Sequence, residues 1–274
     1  STRKDDEVRV VLADLQPPVE IQTHYTHPSK RARLALPEPR LQASMDAQIT
    51  HLMMSLVDDE TRPGDPTFYY RAWHRQGSYI TAALSRAGDP HVSRVLSQFL
   101  ASHDFAGGSG PEADAPGLAI WALVESAAYI ADPVHDQWLW PHILRKAQRI
   151  EGMLTARAPL VEPYWIPSPH DFNHGRQTRT ALLAQPARDG LIVGRVGEDW
   201  PLLYVNAVSY RGLLAAADFA ERLGKRQQAA RWRQHARGLE ASWQRQFPTG
   251  SPDSVTYPVS LRALAGSATR RTQL

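Results

Sequence analysis

The alternation of two kinds of helical segment constrains the fold of this chain most. One kind is apolar on nearly every side, as in 117–124 and 207–220, whereas the other keeps its apolar residues on a single stripe, as in 92–100. A helix that is apolar all round must be buried all round, and a one-sided helix lies at a boundary with water. The alternation therefore predicts two layers of helices, with the apolar segments inside.

This pairing of helices occurs three times, and a short turn joins the two helices each time. The turns are at 86–90, 130–133 and 222–225, and in the first of them Asp89 and Pro90 suit the N-cap and first position of a helix. Another helix is expected from about Leu41, where apolar residues recur at spacings of three and four.

These helices predict an all-α fold that forms a partial toroid, with about seven helices in antiparallel hairpins. An α-solenoid is the alternative two-layer arrangement, but the unequal lengths of the connections favour the toroid. The predicted helical domain covers residues 38–247. Residues 1–37 contain a strand-like segment, Val8–Leu15, and a proline-rich connector, which is typical of an edge strand or a linker from a preceding domain. Residues 248–274 form an irregular tail, and we expect the chain to be part of a longer protein.

Composition limits the classes of partner. The formal net charge of +3 comes from basic residues scattered among acids, so we expect no nucleic-acid binding. No apolar run approaches the roughly 18 residues of a membrane span, so we expect a soluble protein that does not enter a membrane. Cysteine is absent, which excludes disulfides and thiolate catalysis. The compartment stays open, with a small preference for the cytoplasm because the first residues lack an apolar signal core.

Three connections lead into the apolar helices, and a layered fold should bring them to one end. They are 69–77, 107–117 and 159–206, and each is rich in aromatic, acidic and amide side chains. Sugars present apolar ring faces and a rim of hydroxyl groups, so this mixture predicts a saccharide site. The candidate residues are Trp73, Arg75, Gln76, Glu112, Asp114, Glu198, Asp199, Tyr204 and Asn206.

Several candidates also have a purely structural interpretation. Asp114 precedes a helical proline and is equally suited to capping that helix. Glu112, Glu198 and Asp199 are equally compatible with solvent-exposed loop positions, and Trp73 with partial burial in the core.

A metal or cofactor is not predicted. His170 and His174 are four residues apart, but nearby prolines and a glycine argue against a helix there, and no third ligand has a defined spacing. The segment Gly107–Gly110 lacks the lysine of a phosphate-binding loop and favours a flexible loop instead.

The order of these segments resembles the six-hairpin glycosidases, and among them the glucoamylase-like and bacterial trehalase-like glycoside hydrolases. Trp73–Gly77 is similar to a Trp-x-Arg-Asp segment of that family, and Pro111–Leu123 is similar to a segment that opens a later inner helix. Gly197–Asp199, followed by Tyr204–Leu213, resembles the family's acidic loop. The resemblance implies sugar binding by Trp73, Arg75 and Asp114, with a proton donor at Glu198 or, as second choice, Asp199. The implied reaction is inverting hydrolysis of α-glucosides or related oligosaccharides.

Two departures from the family pattern bear on activity. Gln76 stands where the family has an aspartate, so a charged acceptor becomes a neutral amide. A complete toroid has twelve helices, and the family's general base comes from a late loop that would lie beyond Leu274. We therefore expect this chain either to require a missing half of the ring or to self-associate. A catalytically degenerate saccharide-binding domain and an α-helical scaffold are the alternative functions.

Overall fold

Helices make up most of the residues that the computed structural model describes, which are 35–57, 60–62, 72–105, 110–165, 178–200 and 202–246. Seven helices lie in these ranges, as the sequence predicted: α1 Pro39–Met54, α2 His74–Arg86, α3 Pro90–Ser102, α4 Ala115–Ile130, α5 Pro133–Leu154, α6 Leu202–Arg222 and α7 Arg226–Gln246. The same ranges contain five strands: β1 Leu56–Val57, β2 Glu60–Thr61, β3 Leu160–Trp165, β4 Thr178–Arg188 and β5 Leu191–Gly194. The predicted strand at Val8–Leu15 and the tail lie outside the described residues.

The three predicted pairs of helices are α2 with α3, α4 with α5, and α6 with α7, and each pair packs together. Side-chain caps fix the first two of their turns. Asp89 accepts hydrogen bonds from the backbone N–H groups of His91 and Val92, both at 3.1 Å. Asp132 does the same for Val134 at 2.8 Å. Each cap is followed by a proline at the first helical position, so the sequence determines where these helices begin.

The inner row consists of α2, α4 and α6, with α4 in contact with both of the others. Helices α4 and α6 approach unusually closely, because a Cβ atom on Gly117 would lie 2.5 Å from the carbonyl oxygen of Val208. A Cβ atom on Gly212 would lie 2.7 Å from the Cα of Gly117. Arg75 meets Asp114 at one end of α2 and α4, and Arg86 meets Glu125 towards the other, so the two helices run in the same direction. The first residues of the inner helices therefore share one end of the layer.

A small antiparallel sheet corrects the prediction of an all-α fold. Its order is β3-β4-β5, and a two-stranded β1-β2 ladder lies elsewhere. The turn between β4 and β5 places Asp189 and Gly190 at φ angles of 54° and 77°, the left-handed conformation that an Asp-Gly hairpin turn requires. The sheet occupies much of the segment that the sequence suggested was a long connection, and β5 packs against α6.

A buried ion cluster closes the C-terminal end of α3. The ammonium of Lys146, a fully buried residue of α5, donates to the carbonyl oxygen of His103 and, at 3.0 Å, to Asp104. Arg145 donates to Asp104 at 2.9 Å and to the carbonyl of Ala101 at 2.7 Å. Cations at this position satisfy carbonyl groups that the end of a helix leaves without partners.

Part of the inner row faces solvent in the described structure. Tyr79 of α2 is 51% exposed and Tyr129 of α4 is 48% exposed. Exposed inner-helix surface was expected for an incomplete ring, whereas self-association stays a prediction. None of the described helices is long and apolar enough to cross a membrane.

Candidate functional site

Arg75 lies at the centre of the candidate site. It belongs to the first turn of α2, and its Nε donates to Oδ2 of Asp114 at 2.8 Å while its Nη2 donates to Oε2 of Glu112 at 2.7 Å. The two acids are almost completely buried, with exposed fractions of 1% and 3%. One guanidinium group therefore joins two of the three connections that the sequence predicted to meet.

Asp114 stands at the N-cap position of α4 but does not cap the helix. Its side chain accepts no hydrogen bond from the first turn of α4, and its backbone is already helical, with φ of −79° and ψ of −21°. The carboxylate is turned towards Arg75 through Oδ2, and Oδ1 is buried without a hydrogen-bond partner among the described residues. The structural interpretation of Asp114 as a capping residue is therefore wrong.

The third connection joins the site through Gly197. Its backbone N–H donates to Oε1 of Glu112 at 2.9 Å, so each oxygen of that carboxylate is bound to a different loop. Arg195 fixes the backbone beside Glu112, because its guanidinium donates to the carbonyl oxygens of Pro111, Leu182 and Gly197. Nothing in the sequence pattern indicates a role for Arg195, which is a single arginine after a short strand. The three connections converge as predicted.

Glu198 and Asp199 lie on a tight turn beside this cluster, and both residues are exposed. Val196 and Asp199 exchange backbone hydrogen bonds at 2.9 and 3.0 Å, and Gly197 between them has a φ of 60°. Two-residue turns of this kind favour glycine at the first central position. The residues that the sequence nominated as proton donors are thus attached to the buried cluster through Gly197 but carry their own carboxylates in solvent.

Polar and aromatic groups surround Arg75. The ring of Tyr204, in the first turn of α6, has its centroid 6.0 Å from the guanidinium carbon of Arg75. Its buried hydroxyl faces Asp114 and Tyr79 without a hydrogen bond of standard geometry to either. The Oε1 atom of Gln76 is also buried without a partner among the described residues. Trp73, at the N-cap position of α2, is half-buried.

An aromatic pair, the exposed Tyr79 and the half-buried Trp121, extends the inner face next to this cluster. The rings of Tyr79 and Trp121 meet edge to face with their centroids 5.5 Å apart. Tyr79 lies one helical turn beyond Arg75, so the pair joins α2 to α4 just inside the polar cluster.

Asn206 has a structural role in place of the sugar-binding role that the sequence suggested. Its amide nitrogen donates to the carbonyl oxygens of Ile192 and Leu202, and its amide oxygen accepts from the N–H of Ile192 at 2.9 Å. Both amide hydrogens and the amide oxygen are therefore used inside the fold, where the side chain attaches β5 to α6.

Burial raises the pKa of Glu112, and the neighbouring charge of Asp114 raises it further against the opposing effect of Arg75. Burial also raises the pKa of Asp114, although the ion pair with Arg75 lowers it in part. The pKa of Tyr204 is raised as well, by burial and by Asp114. The cluster therefore resists full ionisation and binds protons more readily than the same groups in water.

Comparison with known proteins leaves this site without a relative to explain it. No protein-family model, curated protein or solved structure matches the chain. The description of the site therefore depends on its own geometry.

A metal centre finds no support within the described ranges, where no group of three or more histidine, aspartate or glutamate residues could hold an ion. His170 and His174 lie outside those ranges. The site consists of one shared cation, two acids with raised pKa values and a group of buried acceptors. Such a set can bind groups that donate hydrogen bonds, and its acids hold a proton more readily than the same groups in water.

Proposed function

We propose that this chain is a saccharide-binding domain of the glycoside hydrolase type, with part of a six-hairpin toroid as its scaffold and α-glucosides or related oligosaccharides as its substrates. The convergence of three loops on Arg75 supports this proposal most directly. An elongated scaffold without a binding site would have no need for buried acids that meet at the ends of three helices. The α-helical scaffold function is therefore the less favoured alternative.

The buried polar atoms that lack hydrogen-bond partners among the described residues suit a sugar ligand. The Oδ1 atom of Asp114 and the Oε1 atom of Gln76 are acceptors, and the hydroxyl of Tyr204 both accepts and donates. A ligand rich in hydroxyl groups supplies the donors that such acceptors lack, and a buried acceptor without a donor costs about 1 to 3 kcal/mol. Tyr79 and Trp121 add aromatic surface for the apolar face of a sugar ring.

Two carboxyl groups are candidates for the proton donor in hydrolysis. Glu198 is the one implied by the resemblance to the six-hairpin glycosidases, and its turn is attached to the cluster through Gly197. Glu112 is favoured by its environment, because a buried carboxyl group with a raised pKa retains the proton that a general acid must deliver. Its ion pair with Arg75 opposes this role, so the two candidates require a direct comparison.

Activity of the chain tests the proposal. Maltose, trehalose and short maltooligosaccharides are incubated with the wild-type chain, and released glucose is measured over time. Hydrolysis that disappears in Glu198→Gln but persists in Glu112→Gln identifies Glu198 as the proton donor, and the reverse result identifies Glu112. Glu240→Gln, on α7 and outside the cluster, is the control and should retain activity.

Saccharide binding without turnover is the second function, and the neutral amide of Gln76 favours it. Calorimetry should then show binding to one of these sugars, weakened at least about tenfold by Arg75→Met through loss of the central donor. Absence of both glucose release and binding across a broad glycan panel would refute the saccharide proposal.

A further inference from the structure

A groove lies between the end of α5, the β4–β5 turn and one face of α7. Its volume is about 640 Å³, within the range of about 300 to 1,000 Å³ that is typical of small-molecule sites. Leu154 and Leu239 contribute apolar surface to it. Its polar side chains come from Thr155 at the end of α5 and, on α7, from Arg231, Gln234, His235, Ser242 and Arg245. None of these residues belongs to the Arg75 cluster.

Both arginines of this groove are exposed, and each guanidinium group is oriented by a contact within the fold. The Nη2 atom of Arg231 donates to Oε2 of the buried Glu151 at 2.9 Å, and its Nε lies 2.8 Å from Oε1 in an ion pair without hydrogen-bond geometry. The Nη2 atom of Arg245 donates to Oγ of Ser242, also buried, at 2.9 Å. A guanidinium group that is already oriented loses less conformational entropy when it binds a ligand.

The groove carries an excess of positive charge. Within the described ranges Arg245 has no carboxylate partner, so the two guanidinium groups of the groove are accompanied by one carboxylate, that of Glu151, which pairs with Arg231. Helix α7 has the same imbalance as a whole, since its five arginines accompany one acid, Glu240. Guanidinium groups with donors to spare bind the oxygens of phosphate or carboxylate groups in a forked geometry.

Gly238 keeps the middle of the groove open. Glycine in a helix interior is less stable than alanine, so it usually marks a place where packing excludes a side chain. Packing does not exclude one at this position, because a Cβ atom on Gly238 would have no heavy atom within 4 Å. Gly117 differs, since the backbone of α6 fills the space beside it. The free space over Gly238 is part of the groove itself.

We propose that this groove is a binding site for the oxyanion of a small molecule that bears a phosphate or a carboxylate. Arg245 provides the unpaired guanidinium donors, Arg231 provides its remaining N–H groups, and the ligand body lies over Gly238 against the apolar surface. The site is independent of the saccharide site, so either can exist without the other.

Calorimetry on the whole chain at low ionic strength tests this site, with inorganic phosphate, glucose 6-phosphate and citrate as probes and glucose as the uncharged control. Tighter binding of the two phosphates than of citrate identifies a phosphate site, and the reverse order identifies a carboxylate site. Arg245→Gln should weaken binding at least about tenfold because its donors meet the anion directly. Arg237→Gln removes the same charge from the same helix outside the groove and should leave the affinity unchanged.

A steric variant gives a second result that does not depend on charge. Gly238→Leu fills the groove and should abolish anion binding, while helicity and the melting temperature stay at or above those of the wild type because leucine favours a helix. Equal weakening by Arg245→Gln and Arg237→Gln would show general attraction to a basic helix and overturn the proposal. Absence of binding to all three anions at concentrations up to about 10 mM would overturn it as well.

Discussion

Two ion clusters within the described ranges, at Asp104 and at Arg75, are built in opposite ways. At Asp104 one carboxylate serves Arg145 and Lys146, and the same cations also bind carbonyl groups at the end of α3. At Arg75 one guanidinium serves two carboxylates, and Oδ1 of Asp114 is left without a partner among the described residues. The first cluster has used its acceptors within the fold, as a structural element does. The second has acceptors to offer, as a binding site does.

The pKa values of the acids also differ between the two clusters. Burial alone would raise the pKa of Asp104, but Lys146 and Arg145 outweigh it and lower that pKa. Burial raises the pKa values of Glu112 and Asp114, and the single arginine between them does not reverse it. Burial of an acid is therefore not sufficient to predict its ionisation, which depends on how many cations share it.

Removal of Asp104, the acid that Arg145 and Lys146 share, should give the largest loss of stability. Asp104→Ala leaves the fully buried Lys146 without its counter-ion, and a loss of about 3 to 5 kcal/mol in the free energy of unfolding is expected. Urea denaturation followed by circular dichroism measures it. Arg94→Met is the control, because the Arg94–Asp132 pair is partly exposed and its loss should cost much less. Equal losses in the two variants would contradict a structural role for Asp104.

Removal of Arg75, the cation that Glu112 and Asp114 share, should cost less, about 2 kcal/mol for Arg75→Met. Glu112 and Asp114 already bind protons more readily than in water, so they can neutralise when Arg75 is lost. The same denaturation series measures this variant beside Asp104→Ala. A larger loss for Arg75→Met than for Asp104→Ala would break the distinction between the clusters.

The effect of pH should have opposite signs in the two clusters, with smaller amplitudes than either charge deletion. Because folding raises the pKa of Glu112, the folded state binds more protons than the unfolded state, and stability falls as pH rises above the ordinary value of 4.5. Wild type should therefore lose stability relative to Glu112→Gln over that range. Folding lowers the pKa of Asp104, so its contribution is present above the ordinary value of 3.8 and is lost on acidification. Unfolding midpoints measured across pH for wild type, Glu112→Gln and Asp104→Asn check both signs.

Tyr204→Phe should have the smallest effect on stability. The hydroxyl makes no hydrogen bond of standard geometry, so its removal should change the free energy of unfolding by less than about 0.5 kcal/mol. Binding of a saccharide should nevertheless weaken several-fold. Asn206→Ala, two residues further on, removes an amide with three hydrogen bonds and should cost about 2 kcal/mol instead. A similar cost for both variants would mean that Tyr204 is part of the structural framework.

Helices and their turns could be predicted from the sequence because their causes are local. Apolar periodicity and the caps at Asp89 and Asp132 lie within a few residues of the elements that they determine. The two-layer arrangement predicted that the connections into the inner helices share one end. Arg75 and Asp114 meet there because parallel inner helices bring their first turns together. The hairpin of β4 and β5 also had a local signal, the Asp189-Gly190 pair between apolar runs, but the surrounding segment was interpreted as one long connection.

Features that depend on distant partners could not be predicted. Lys146 has the same appearance in the sequence as any solvent-facing lysine, and only Asp104, 42 residues earlier, explains its burial. Glu112 and Glu198 likewise had the same rank as loop acids in the sequence. Their environments differ at Gly197. Its backbone N–H donates to the buried Glu112, whereas Glu198 lies on the exposed side of the turn.

The contact of two backbones at Gly117 and Gly212 has a consequence for motion. Since no side chains separate α4 from α6 at that point, neither helix can slide or rotate without a clash of main-chain atoms. Amide protons of α6 near Val208 should exchange with solvent only through global unfolding, whereas those of the exposed turn at Gly197–Asp199 should exchange through local opening. Tyr204 and Asp114 therefore belong to a rigid base, to which the acidic turn is attached through the N–H and carbonyl groups of Gly197.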